Sequence, residues 1–180
     1  MIYVIRHGET DWNREGRLQG RNGLPLNSRG LDQAKELNSV LENIKFEYVY
    51  SSPQERAVQT AVITAGISPV IDERLNVFDL GEADGLRKEE AVMRGMLPDC
   101  TVYKGVEAED AFIARVFDFL SELEKTVNDH DCNILISGHR CTTGGIGAFF
   151  IGIPEDRNIL QYSSDNGKFK TYSFDRAVFA

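Results

Sequence analysis

Residues 2–10 read IYVIRHGET, and the rest of the chain is best understood from this stretch. Its first half is a short apolar, β-rich run that ends abruptly in Arg6, His7 and Gly8. A buried strand that delivers polar side chains onto a turn is the usual way to build a site at a strand's carboxyl end. A neutral imidazole is a competent nucleophile and a guanidinium grips phosphate bidentately, so we expect a reactive His7 with Arg6 beside it. The competing interpretation is an ordinary loop pair.

The same arrangement recurs further along the chain. The apolar run 46–50 leads into a small polar turn and a helix whose first turn carries Arg56. The run 133–136 ends in Ser-Gly before His139. Because the carboxyl ends of parallel strands lie along one edge of a sheet, these side chains are expected to meet those of the first strand tip. An arginine at a helix start also favours an anion, although a surface ion pair is the alternative for Arg56 alone.

Strand and helix patterns alternate, which predicts an α/β fold with a mostly parallel sheet. Helices are predicted over residues 28–43, 86–96, 107–127 and 142–151, with another that has Pro53 in its first turn. Strands are predicted over residues 2–5, 46–50, 69–71 and 133–136, followed by a closing hairpin of 158–162 and 168–174.

The overall composition limits the class of protein. A chain of 180 residues predicts one domain over residues 1–180. A net charge of −8 argues against nucleic-acid binding, although a local cluster of arginine and histidine can still bind a small anionic substrate. No apolar run approaches a membrane span, and no basic, apolar leader precedes the first strand, so we expect a cytoplasmic protein without a membrane partner. The sequence leaves a homodimer open.

Cysteines and one further histidine carry little functional signal. Cys100, Cys132 and Cys141 are odd in number and form no C-x-x-C pair, so buried or incidental thiols are expected rather than a disulfide framework or structural zinc. His130 lies in a polar run and is expected to be solvated.

The loop after the first strand offers further anion donors. Residues 10–23 are polar and glycine-rich, and Asn13, Arg17 and Gln19 could each donate hydrogen bonds to an anion. For Arg17 and Gln19, a solvated loop position is an equally good interpretation.

Taken together, these segments resemble the histidine phosphatase superfamily, in the branch that includes cofactor-dependent phosphoglycerate mutase. The resemblance covers nearly the whole chain and implies a three-layer α/β/α sandwich with a mostly parallel central sheet. It also implies a phosphohistidine intermediate. Neither a metal nor another cofactor is expected, because the cations are side chains. The residues that carry the resemblance are 6–10, 13, 19–20, 25–26, 30, 51–53, 56–57, 59–61 and 152–154.

The resemblance implies a role for each matching residue. His7 would be the nucleophile, while Arg6, Arg56 and His139 would bind the transferred phosphoryl group with help from Asn13. A phosphoryl group in transfer carries charge on three equatorial oxygens. Two guanidiniums and a protonated His139 would stabilise that charge, and water would then hydrolyse the phosphohistidine.

Two departures from the family pattern bear on the chemistry. The position where the family places a glutamate, as proton donor to the leaving group, holds Val77. Asp79 is the first substitute, because residues two apart in an extended segment face the same way, and Glu82 is the second. The family also shows glycine after its second histidine, where this chain has Arg140, which could contact phosphate or point away.

The sequence therefore predicts a phosphomonoester hydrolase, that is, a histidine-type phosphatase, acting on a small phosphorylated metabolite. A phosphoglycerate mutase-type phosphotransferase is one alternative. A catalytically weak protein that binds a phosphorylated ligand is another, because of Val77. Substrate specificity is expected to lie in residues 76–110.

Overall fold

A computed structural model describes residues 1–127 and 132–174. The strands are β1 (Ile2–Arg6), β2 (Tyr48–Ser51), β3 (Val70–Ile71), β4 (Met93–Arg94), β5 (Leu97–Pro98), β6 (Ile134–Gly138) and β7 (Phe169–Tyr172). The helices are α1 (Asp11–Arg14), α2 (Ser28–Leu41), α3 (Glu55–Ala65), α4 (Glu109–Thr126) and α5 (Arg140–Ile151). Short 3-10 turns cover Glu73–Leu75, Gly81–Ala83 and Ile159–Tyr162.

The central sheet has five strands in the order β3-β2-β6-β1-β7, and only β7 runs antiparallel to its neighbour. The register pairs Arg6 of β1 with Gly138 of β6, and Ser51 of β2 with Ser137. These strands therefore end level with one another, which brings the residues that follow them to one edge. The predicted α/β fold with a mostly parallel sheet is confirmed.

Apolar residues on both faces of the sheet hold the helices in place. On one face, Ile5, Val49 and Leu135 pack with Leu37 of α2 and Ala61 of α3. On the other face, the strands pack against α4 and α5 through a second buried cluster. Each fully buried aliphatic side chain stabilises the fold by about 1.5–3 kcal/mol relative to exposure. The result is the expected three-layer α/β/α arrangement.

Two glycines allow helix α2 to sit directly on the tip of β1. A Cβ atom added to Gly8 would collide with the backbone of Gly30, and one added to Gly30 would collide with the backbone of Glu9. Asn27 caps the helix by accepting a hydrogen bond from the Gly30 N–H. This close contact fixes the turn that follows His7.

The helix predicted over residues 86–96 is wrong. Leu86 and Lys88 instead bond through their backbones to Leu18 and Gly16, and residues 93–98 form the small β4-β5 hairpin. The apolar side chains of Met93, Met96 and Leu97 in and beside this segment line a cavity.

The predicted closing hairpin is also wrong. Ile159–Tyr162 is a 3-10 turn packed on α5, where the Ile159 carbonyl leaves no room for a Cβ on Gly144. Strand β7 pairs with β1 instead, and Asn166 in the turn before it donates to the carbonyls of His7 and Gly8. The turn that resembled a hairpin loop therefore supports the strand tip.

The predicted place of Pro53 in the first turn of a helix is wrong. Helix α3 begins at Glu55, so Pro53 precedes the helix instead of lying in its first turn. Cys132 and Cys141 are buried and Cys100 is exposed. His130 lies outside the described residues. Within the described ranges, none of the helices has the length and apolar character needed to cross a bilayer.

Candidate active site

A cavity of about 250 Å³ opens at the carboxyl ends of β1 and β6. Arg6, His7, Asn13, Gln19 and His139 form one side of it. The structure thus brings together most of the residues that the sequence analysis selected, at the sheet edge where it expected them.

His7 is held as a neutral imidazole. Its Nδ1 lies 2.7 Å from the carbonyl oxygen of Gly8, and because that oxygen can only accept, Nδ1 carries the proton. Burial, followed by the charges of Arg56 and Arg6, lowers the pKa of His7 well below its usual value. The Nε2 lone pair is therefore free of a proton at neutral pH, as a nucleophile requires.

His139 faces His7, with 5.1 Å between the ring centroids. Its Nε2 lies 2.7 Å from the hydroxyl of Ser52, and that hydroxyl oxygen already accepts a bond from the Gln54 N–H. Burial, then Arg56 and His7, lower the pKa of His139 well below its usual value. In this structure His139 is neutral at neutral pH, whereas the sequence analysis expected a protonated ring.

Both arginines are anchored to carbonyl oxygens. Arg6 donates through Nη1 to Ser164, and Arg56 donates through Nη2 to Gly20 and through Nη1 to the side chain of Gln54. Burial lowers the pKa of each arginine to about 10, which still leaves both charged at neutral pH. Arg56 does not line the cavity but lies behind its wall, beside Gln19 and Gly20.

Several buried N–H donors have no hydrogen-bond partner in the described part of the chain. They are Arg6 Nε, Arg56 Nε, Gln19 Nε2 and His139 Nδ1. The Gln19 amide cannot reverse easily, because its oxygen accepts from the backbone N–H of Leu24, which can only donate. A buried donor without a partner costs about 1–3 kcal/mol. Three of these residues, Arg6, Gln19 and His139, line the same cavity, which points to an anion there that would accept their bonds.

The two other candidate anion donors in the loop, Asn13 and Arg17, differ in their hydrogen-bond partners. Asn13 lines the cavity, and its Oδ1 accepts from the Thr10 N–H and from Asn166. Arg17 also lines the cavity, but it is paired with Glu15 at 2.8 Å and donates to a backbone carbonyl. Asn13 is thus hydrogen-bonded within the site, while the guanidinium of Arg17 is already engaged by Glu15 and a backbone carbonyl.

The opposite wall lacks the proton donor that the sequence analysis sought. Val77 lines the cavity and is 5% exposed. Asp79 is turned away: one carboxylate oxygen accepts from the Gly81 N–H at 3.0 Å and the other lies 3.4 Å from Arg21. Glu82 accepts from a backbone N–H of the neighbouring loop. Neither acid reaches the cavity, and within residues 1–127 and 132–174 no group of three or more His, Cys, Asp or Glu could hold a metal ion.

Arg115 is a structural residue of the site that the sequence analysis missed. Its guanidinium donates to the carbonyls of Arg74, Asn76 and Val77, and it pairs with Glu107 at 2.7 Å. These bonds fix the segment that presents Val77. Nothing in the sequence distinguishes Arg115 from the other charged residues of α4.

Lys88 is the other missed residue, and it lines the cavity together with Arg140. Lys88 escaped notice because it falls in the segment predicted as a helix. Arg140 is the first residue of α5, directly after His139. Arg140 could either contact phosphate or point away, and in the structure it lines the cavity.

Comparison with known proteins places this geometry in a family. The profile of the Histidine phosphatase superfamily (branch 1) matches residues 2–179. "Putative phosphoserine phosphatase 2" of Hydrogenobacter thermophilus is 31% identical over 176 residues, which are 92% of this chain and 85% of that protein. "Probable phosphoglycerate mutase GpmB" of Escherichia coli O1:K1 is 28% identical over 163 residues, which are 85% of this chain and 75% of that protein.

A solved structure shows the same fold. The alpha-ribazole phosphatase from Shigella flexneri superposes with a TM-score of 0.80 at 27% identity, covering 93% of this chain and 87% of that one. The similar proteins therefore include both phosphatases and a protein named as a mutase.

Proposed function

This chain belongs to the histidine phosphatase superfamily, and from that premise we propose that it is a phosphomonoesterase that works through a phosphohistidine on His7. Its substrate is a small phosphorylated metabolite, and its chemistry is independent of metal. The observation that carries the proposal is the set of buried, unpartnered N–H donors around a neutral imidazole nucleophile. These donors can form hydrogen bonds to the three equatorial oxygens of a phosphoryl group in transfer.

The reaction follows from the position of each group. The Nε2 of His7 attacks phosphorus, the N–P bond forms, and the bond to the leaving oxygen breaks. Arg6 and Arg56 stabilise the charge on the equatorial oxygens, and Gln19 orients the group. Water then attacks phosphorus, the N–P bond breaks, and inorganic phosphate leaves with His7 restored.

His139 contributes as a donor even when it is neutral. The Ser52 hydroxyl can donate to Nε2, which leaves the proton on the buried Nδ1 of His139. An incoming phosphoryl dianion would oppose the effect of Arg56 and raise the pKa of His139. His139 is then protonated while the phosphoryl group is bound, and its positive charge stabilises the anion.

Two other functions have specific support. A mutase-type phosphotransferase is favoured by the similarity to the protein named as a phosphoglycerate mutase. A catalytically weak protein that binds a phosphorylated ligand is favoured by Val77 at the family's proton-donor position. Release of inorganic phosphate without any added acceptor would support the hydrolase over both.

The test is rapid acid-free quenching of the enzyme during turnover of p-nitrophenyl phosphate, followed by mass spectrometry of the His7 peptide. We expect a phosphoryl group on His7, no effect of a chelator, and loss of activity in His7→Ala with an unchanged circular dichroism spectrum. Unchanged turnover by His7→Ala would contradict the covalent mechanism.

A further inference from the structure

The described residues that line the cavity include no carboxyl group. Val77 lines the cavity, while the Asp79 carboxylate accepts from the Gly81 N–H and the Glu82 carboxylate accepts from the Lys104 N–H. General acid catalysis requires a proton donor within hydrogen-bond reach of the leaving oxygen. The described structure offers no carboxylic acid to a departing alkoxide.

Besides Arg6 and Arg17, the cavity is lined by Lys88 and Arg140, and no ion pair with a carboxylate is found for either of these two in the described ranges. The backbone N–H of Lys88 donates to the carbonyl of Gly16 at 2.9 Å, which fixes the base of its side chain. Arg140 is fixed by its place at the start of α5. Partial burial, then the charges of Arg140 and Arg6, lower the pKa of Lys88. Like charges that share a cavity without an anion repel one another, so Lys88 and Arg140 favour an anionic group bound in that cavity.

An apolar surface adjoins the cations. Phe78, Leu80, Met96 and Leu97 line the cavity beside Val77. The leaving group would therefore meet positive charge at its oxygen and apolar side chains around its body.

We propose that the substrate's leaving group departs as a stable oxyanion facing Lys88 and Arg140, so that charge stabilisation replaces proton donation. This inference rests on the phosphohistidine mechanism proposed above. Among phosphorylated metabolites, the preferred substrates are then acyl phosphates, which release a carboxylate, or phosphoanhydrides, which release a phosphate, and alkyl phosphomonoesters react more slowly. The apolar wall favours the carboxylate.

The step balances without a proton donor. The His7 Nε2 lone pair forms the N–P bond, and the electron pair of the breaking P–O bond leaves with the carboxylate. A carboxylate is a weak base, so it needs no proton in the transition state, whereas an alkoxide does. Water then hydrolyses the phosphohistidine, which supplies both protons and the oxygen of the products.

The first arm of the test compares substrates of equal size. Acetyl phosphate and ethyl phosphate differ in leaving group but not in carbon number, and pyrophosphate represents the anhydrides. We expect wild-type kcat/KM, corrected for spontaneous hydrolysis, to be at least ~10²-fold higher for acetyl than for ethyl phosphate. Similar values for the two would overturn the proposal. Pyrophosphate turnover above that of acetyl phosphate would assign the site to anhydrides.

The second arm restores the missing acid. Val77→Glu should raise kcat/KM for ethyl phosphate at least ~10-fold and leave the preference for acetyl phosphate correspondingly smaller. Val77→Gln has the same shape but no releasable proton, so it should give no such gain. An equal gain from both variants, or a gain from neither, would contradict the inference.

The third arm removes the cations. Arg140→Gln and Lys88→Met should each lower kcat/KM for acetyl phosphate ~10-fold, with a smaller loss for ethyl phosphate. Lys45→Met removes the same charge from a side chain that is 89% exposed and should change neither substrate. Equal losses on both substrates would assign the cations to phosphate binding and overturn the proposal. Mass spectrometry of the His7 peptide, quenched during turnover of acetyl phosphate, separates the two proposals. If His7 carries no phosphoryl group, the phosphohistidine mechanism is refuted. If His7 is phosphorylated but acetyl phosphate is not preferred, only this inference is refuted.

Discussion

The two sides of the cavity are built in different ways. The phosphate side stands on strand ends whose register is fixed by the sheet, so Arg6 and His139 are placed by backbone pairing. The opposite wall is made of loops between residues 76 and 98, held by side-chain bonds such as those of Arg115. A rigid sheet edge suits the reacting group, which needs exact placement of donors. Loops can vary without disturbing the sheet, so the wall is where substrate choice can change.

The two sides also differ in their electrostatics. On the phosphate side the charged and polar groups are buried, with His7 and His139 each no more than 3% exposed. On the wall, Lys88 is an exposed residue that lines the cavity. Charge interactions are stronger where water is excluded. Substitutions on the phosphate side should therefore have larger effects than those on the wall.

The largest expected effect comes from Arg56. Arg56→Lys keeps the charge but loses Nε and the planar fork, so we expect kcat on p-nitrophenyl phosphate to fall by about 10²–10³-fold. Arg29→Lys makes the same exchange at a side chain that is 74% exposed and serves as the control. If Arg56→Lys costs no more than Lys88→Met, the contrast between the two sides would be lost.

This contrast explains which features could be predicted from sequence. Arg6, His7 and His139 follow apolar strands directly, and the carboxyl ends of parallel strands necessarily lie together. The direction of Asp79 could not be predicted in this way. The extended-segment argument places it on the face of Val77, but its carboxylate accepts the N–H of Gly81, whose φ is +51°. A local turn thus overrides the two-residue alternation.

The loop wall escaped prediction for a related reason. Met93 and Met96 give the segment after Gly85 a helical spacing of apolar residues, yet both line the cavity. Periodicity reports which residues avoid water and not what they pack against. The position of Lys88 depends on a bond to Gly16, a contact between distant parts of the chain that no local pattern reveals.

An intermediate effect is expected from pH, and it sharpens the comparison because both buried histidines lie on the phosphate side. Burial and Arg56 lower the pKa of His7 and His139 in the folded state, so the unfolded chain binds more protons below pH ~6.5. Stability should fall as the pH drops below that value, by up to about 1.4 kcal/mol per histidine for each pH unit. Urea unfolding at several pH values, compared with His139→Gln, would measure this, and a pH-independent stability would contradict it.

The smallest effect is expected from Asp79→Asn, which tests the acid role that the sequence analysis assigned. The carboxylate is 40% exposed and pairs with Arg21 across 3.4 Å, and such pairs contribute about 0–1 kcal/mol. Because Asp79 lies outside the cavity, the ratio of alkyl to aryl phosphate turnover should stay the same. Val77→Glu, which alters that ratio, is the matched comparison. A strong loss of turnover confined to alkyl phosphates in Asp79→Asn would contradict this expectation. It would show that the Asp79 carboxylate turns into the cavity during catalysis and donates a proton to the leaving group.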